Sequence, residues 1–228
     1  MRLDHYLPNL HPRELYLRYI HRDATRDVIA TIDQEAFLGL RKTARDRTQT
    51  LNNIKYFNLD GYIGEHVKRA MRLNLHINVG RQVLDIGTGF GYFPYVCEFF
   101  GNGAQAIDVS GHDLFDDVTN FLRVKKTHHF INAFEPLPTF DRKFDVINAT
   151  QIAFVHIRGS GGKRWGDEEW GFFLDHLIND HLTEKGIISL EFNWDSHRNC
   201  WFPPEVRTLF KNYGARMFHN RVLITPNR

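Results

Sequence analysis

Asp85, Gly87, Gly89 and Gly91 are packed into the stretch VLDIGTGFGYFP. An apolar run carrying one carboxylate breaks into three alternating glycines, then restarts as an aromatic-rich segment with Pro94 near its beginning. Glycines at such a place let the backbone turn sharply and approach a ligand with no Cβ in the way. A dinucleotide turn needs G-x-G-x-x-G, because a pyrophosphate must reach a helix N-terminus. Here the spacing is G-x-G-x-G, and Tyr92 stands where the third glycine would be. Asp85, two residues before Gly87, repels phosphate and favours a ligand with a cationic amino group and a sulfonium. A second carboxylate, Asp108, ends the run AQAIDVS 21 residues after Gly87. A carboxylate there accepts both hydroxyls of a ribose, each charge-assisted bond contributing roughly 1.5–3 kcal/mol. Dinucleotide folds also place an acid there, so the pair Asp85 and Asp108 discriminates better than Asp108 alone.

These residues need elements that bring them together. Residues 12–50 have helical periodicity, with Pro12 at a tolerant first position, and a further helix is expected from Gly64 to Leu75. From residue 81 short apolar runs alternate with helical stretches. QVLDIG, AQAIDVS, THHFINA, FDVINAT and GIISLEFN read as strands, separated by GYFPYVCEFFG, HDLFDDVTNFLRV and DEEWGFFLDHLINDHL. This alternation predicts an α/β fold, a doubly wound and mostly parallel sheet of seven strands. Another helix is expected near PPEVRTLFKNYG, and ARMFHN with RVLITP closes the chain as an antiparallel hairpin. Ligands of such sheets bind at the carboxyl ends of the strands, where strand order reverses. Two domains are expected: a helical extension over residues 1–78 and a Rossmann-like domain over 79–228.

With these motifs the sequence resembles the class I S-adenosylmethionine-dependent methyltransferases, over residues 81 to about 193 and again in the terminal hairpin. The resemblance implies S-adenosylmethionine as cofactor. Its methionine part would lie over Asp85, Gly87, Thr88, Gly89 and Gly91. Asp108 would hold the ribose, and Val109 would pack beside the adenine. The family often has Asp-Ala after its third strand, near the adenine amino group. This chain has INAF, so Asn132 replaces the acid and Ala133 and Phe134 follow. An amide there serves adenine only if its carbonyl is oriented to accept. WGDEEWGFFLDHL, with the glycine turn, also looks loosely like bacterial deoxysugar O-methyltransferases of the nodulation-factor type.

The acceptor side is expected from the segments after the fourth and fifth strands. His156 is the candidate general base, since histidine titrates near neutrality; alternatively it is a loop histidine bonded to backbone. Trp165 and Trp170 flank Asp167, Glu168 and Glu169. That grouping suits a sugar ring with its hydroxyls, or else Trp165 is a hydrophobic staple, Asp167 a helix cap and Trp170 core. Arg158, Lys163 and Arg164 are candidates for an anionic group on the acceptor, or solvated loop charges. Asn193, Asp195 and His197 can reach the same cleft. No metal site of recognisable spacing is present: His128 and His129 are adjacent and point opposite ways in a strand.

Composition bounds the function. The 228 residues are 42% hydrophobic and 25% charged, with a formal net charge of +2, too small to argue for nucleic acid. Residues 1–81 hold 14 Lys/Arg against 9 Asp/Glu, a mild excess that reads as a solvated surface or, alternatively, as contact with an acidic surface or a phosphate. NATQ lacks the N-P-P-aromatic signature of nucleic-acid amino-methylating enzymes. Cys97 and Cys200 form neither a disulfide framework nor a metal cluster. No apolar stretch reaches a membrane span, so a soluble, cytoplasmic protein is expected. The leading expectation is O-methylation of a small molecule or glycan. The alternatives are N-methylation of an amine, protein or RNA, an NAD-dependent oxidoreductase with an atypical loop, and a non-catalytic S-adenosylmethionine-binding protein.

Overall fold

The computed structural model describes residues 12–46, 48–155 and 164–226. Seven strands, β1 Gln82–Ile86, β2 Gly103–Asp108, β3 Lys126–His128, β4 Phe144–Thr150, β5 Leu182–Glu191, β6 Ala215–Phe218 and β7 Arg221–Ile224, form one sheet. Their order is β3-β2-β1-β4-β5-β7-β6. β1, β4 and β5 run parallel, and β7 lies antiparallel between β5 and β6. The α/β fold with its C-terminal antiparallel hairpin therefore forms as the alternation predicts. No helix among the described residues is long and apolar enough to cross a membrane.

The chain divides into two compact units. The first comprises the described residues up to Arg81 with Thr88–Ala106 and Ser110–Lys126. It holds the helices α1 Pro12–Ala30, α2 Gln34–Asp46, α3 Leu59–Arg72, α4 Tyr92–Phe99 and α5 Asp113–Phe121, and a 3₁₀ segment Thr48–Phe57. The helix expected over 12–50 is thus broken at residues 31–33. Asp33 ends it by accepting the Ala36 N–H at 3.0 Å, a competing bond that starts a new helix. The helix expected from Gly64 begins earlier, at Leu59, because the Asn58 side chain accepts the Gly61 N–H at 3.2 Å. Buried Val28, Phe37, Ile63, Val67, Phe93 and Val96 form the interior of this unit.

The second unit comprises Gln82–Gly87, Ile107–Val109 and the described residues from Thr127 onward. Its core joins Leu84, Ile86, Ile147 and Ile188 of the sheet to α6 Asp167–His176 through Trp170, Phe173 and Leu174, and to α7 Pro204–Asn212 through Val206 and Phe210. A π-helical turn, Leu177–His181, leads from α6 into β5. Two strands differ from expectation. β3 stops at His128, so FINA is not strand. β5 starts at Leu182, ahead of the apolar run, and its register against β4 shifts between Phe144 and Val146.

Candidate functional site

In the order β3-β2-β1-β4-β5 the chain reverses direction across the sheet between β1 and β4, where α/β sheets bind ligands. Asp85 of β1 and Asn148 of β4 are register partners there, with Ser189 of β5 next in the row. Asp85 is 4% exposed and Asn148 1%, and the Asn148 Nδ2 donates to Asp85 Oδ1 at 2.7 Å. The amide thereby fixes the orientation of a buried carboxylate. Asn148 was not among the residues picked from sequence; its only signal was a polar side chain inside the apolar run FDVINAT.

β1 runs into Gly87, whose φ is +71°. Its N–H donates to Ile107 O at 2.7 Å. A Cβ at Gly87 would lie 2.4 Å from Ile152 Cδ1, so both conformation and space demand glycine here. At the end of β2, Asp108 Oδ1 accepts the Val109 N–H at 2.7 Å, and Asp108 O accepts the His129 N–H at 2.8 Å. Beyond β3, Asn132 Nδ2 donates to Glu135 Oε2 at 2.7 Å. That bond occupies one N–H of the amide and leaves Oδ1 on its other side. Ala133 is half-buried, and Phe134 has φ +61° and is 51% exposed. A bulky residue held in the left-handed region marks a constrained position, and the Phe134 ring meets Phe172 edge-on at 5.9 Å.

Within the first unit the turn continues into Thr88, Gly89 and Gly91. Gly89, at φ +56°, has open space where a Cβ would stand, whereas a Cβ at Gly91 would meet Thr119 Cγ2 at 2.9 Å. Thr88 Oγ1 is buried without a hydrogen-bond partner among the described residues. Tyr92 explains the missing third glycine. Its hydroxyl donates to Tyr56 O at 2.7 Å, and its ring packs against Tyr62 and Phe90. Burial first, then Tyr62, push its phenol well above the ordinary tyrosine range.

On the acceptor side, His156 and Arg158 lie outside the described residues. Trp165 is 2% exposed and packs against Phe154, Phe173 and Trp170, with Phe154 nearest at 4.8 Å. Asn193 is exposed, and its Nδ2 donates to Gln151 O at 2.9 Å, tying the loop after β5 to the loop after β4. His197 is exposed, and its backbone N–H donates to Asp195 Oδ1. Asp195, 3% exposed, anchors this loop. Its Oδ1 accepts the His197 and Arg198 N–H groups at 3.0 and 3.2 Å, and its Oδ2 pairs with Arg164 Nε at 3.1 Å and stands 3.9 Å from Arg198 Nε. A crevice opens between these groups, walled by Ile152, Phe154, Trp165, Arg164, Arg198 and Trp201 among others. Trp165 Nε1 is buried without a hydrogen-bond partner among the described residues. Sequence spacing gave no sign that Arg164, Asp195 and Arg198 converge.

No protein family model and no curated protein sequence matches the chain. Solved structures do. DesVI from Streptomyces venezuelae aligns with a TM-score of 0.54 at 11% identity, over 73% of this chain and 92% of that one. A TehB-like SAM-dependent methyltransferase from Corynebacterium glutamicum aligns at 0.51 and 13% identity, over 82% of this chain and 99% of that one. The PH0226 protein from Pyrococcus horikoshii aligns at 0.50 and 16% identity, over 72% and 90%. The chain thus shares the Rossmann-like α/β fold of these structures. A dinucleotide-binding sheet of order 3-2-1-4-5-6 has no antiparallel strand between its last two members, as β7 is here.

Proposed function

We propose that this chain is an S-adenosylmethionine-dependent methyltransferase that methylates a hydroxyl of a small molecule or glycan. The observation that carries this reading is the buried Asp85, aimed by Asn148 at the point of strand reversal and followed by a glycine turn. A carboxylate in that place suits a cationic ligand and opposes a pyrophosphate. The unpartnered Thr88 hydroxyl and the open space at Gly89 are consistent with a ligand lying over the turn.

When bound, S-adenosylmethionine supplies an electrophilic methyl carbon on a sulfonium. Asp85, Gly87, Thr88, Gly89 and Gly91 are the proposed partners of its methionine portion and Asp108 of its ribose. Asn132 Oδ1 is the proposed partner of the adenine amino group, with Val109, Ala133 and Phe134 beside the ring. This chain's residues would hold an acceptor hydroxyl against that carbon, and a base would take the hydroxyl proton. Orientation of this kind is worth about 7–11 kcal/mol of barrier, and a base adds roughly 10²–10⁴-fold. His156 is the proposed base, and Arg158, Trp165, Asn193 and His197 are proposed to contact the acceptor.

The test is transfer of labelled methyl from S-adenosylmethionine into a host extract, followed by separation into small-molecule, glycan and lipid, protein and nucleic-acid fractions. Label in the small-molecule or glycan fraction, stable to conditions that leave ethers intact, is the expected result. Label confined to protein or nucleic acid would overturn the acceptor assignment, and no transfer to any fraction would count against the activity itself.

A further inference from the structure

We propose that His176 is a positioning residue for the cofactor site: its Nε2 anchors the segment that carries Asn132 and Phe134, and so sets the affinity for the adenosine part of S-adenosylmethionine. The cofactor half of this statement rests on the methyltransferase reading; the anchor does not. Among the described residues, 129–143 form neither helix nor strand. Pro136 and Pro138, on either side of Leu137, account for part of this. Each lacks an N–H and biases its predecessor away from helical backbone. Leu137 therefore carries the one main-chain donor of residues 136–138. Leu137 is 5% exposed, and a buried N–H needs an acceptor. It finds His176 Nε2 at 2.8 Å.

The ring is held in the form this bond requires. His176 Nδ1 lies 2.7 Å from Asp180 Oδ2. A carboxylate only accepts, so Nδ1 carries the proton and Nε2 keeps its lone pair. His181 Nε2 stands 3.0 Å from the same nitrogen and donates to it; burial holds the His181 pKa low and its ring neutral. The anchored residue is tied to the proposed adenine partners in two ways. Glu135, joined to Leu137 through the stiff Pro136, accepts from Asn132 Nδ2 at 2.7 Å. Phe134 meets Phe172 edge-on at 5.9 Å, and Phe172 stacks on His176 itself with ring centroids 6.4 Å apart. Phe172 and His176, at i and i+4 on one face of α6, thus grip both ends of residues 134–137.

The test combines amide exchange at Leu137 with calorimetric titration of S-adenosylhomocysteine, on the full chain and three variants. A glutamine side chain places a carbonyl oxygen near the position of imidazole Nε2, with two lone pairs for the two donors; asparagine is too short. His176→Asn should therefore speed Leu137 exchange and weaken S-adenosylhomocysteine by about tenfold each, the size of one lost hydrogen bond, while His176→Gln stays within about threefold of wild type in both. Asp180 is exposed, so Asp180→Ala keeps the test alive if His176→Asn fails to fold. Freeing the tautomer in this way should weaken S-adenosylhomocysteine roughly two- to fivefold. Equal losses in the Asn and Gln variants would assign the effect to ring packing and overturn the proposal. Unchanged Leu137 exchange in His176→Asn would overturn it too, as would faster exchange with unchanged affinity. A wild-type chain that binds no S-adenosylhomocysteine would instead overturn the methyltransferase reading, and the cofactor role of His176 with it; binding lost only in the variants leaves both standing.

Discussion

The buried pair Asp85–Asn148 makes a quantitative demand. The 2.7 Å bond joins a carboxylate to an amide, and both residues are under 5% exposed, so water cannot readily replace a deleted partner. Hydrogen bonds to charged groups contribute about 1.5–3 kcal/mol. Asn148→Ala removes that bond and leaves a small void, for a total loss of about 2–4 kcal/mol. In a chain of this size that corresponds to roughly 2–4 °C of melting temperature per kcal/mol. The void contaminates the single variant, so the decisive quantity is the coupling in a double-mutant cycle with Asp85→Ala. Urea denaturation of wild type, both singles and the double should return a coupling of about 1.5–3 kcal/mol with unchanged m-values. S-adenosylhomocysteine affinity should fall in Asn148→Ala as well, because the amide aims the carboxylate. A coupling below about 0.5 kcal/mol, the level expected of independent sites, would refute the claim that the amide holds Asp85.

Two further predictions test other parts of the structure. Gly87→Ala should cost about 2–5 kcal/mol, combining left-handed backbone strain with the clash at Ile152 Cδ1; pairing it with Ile152→Ala should return the clash but not the strain, as thermal unfolding would show. His181 is pushed down to about 4 by burial and then by His176 and Lys143, against the opposing pull of Asp180. Because its folded value lies below the unfolded value near 6.5, the unfolded chain takes up the proton first as pH falls. Stability should therefore decline from about pH 6.5 to about pH 4, and denaturation of His181→Gln should show a flatter profile across that window.

Much of the architecture was legible because buried strands and amphipathic helices write their periods into the chain. β1, β2, β4 and the terminal hairpin lie where the apolar runs are. The failures have local causes. β3 is at the sheet edge, with a partner on one side only, so FINA gains too little from pairing to extend it. β5 begins at Leu182, and Leu182 pairs with Phe144 while Ile187 pairs with Val146. The polar residues between make an irregular excursion with no period to detect. Asp85 and Asp108 lie at strand ends and Gly87 just beyond β1, where the spacing of the motif places them. Asn148 becomes meaningful only through its register with Asp85. Arg164, Asp195 and Arg198 come from two irregular loops, which carry no periodicity, so their meeting had no trace in the sequence. Trp165 was left between sugar platform and packing residue. It is buried against Phe154, Trp170 and Phe173.

Calorimetric titration of the purified chain with S-adenosylhomocysteine and with NADH, repeated on Asp108→Ala, tests the central claim most directly. S-adenosylhomocysteine should bind saturably and NADH should not. Asp108→Ala should weaken S-adenosylhomocysteine about tenfold or more, the loss of one to two charge-assisted bonds to the ribose. Binding of NADH without S-adenosylhomocysteine, or an affinity for S-adenosylhomocysteine that Asp108→Ala leaves unchanged, would contradict it.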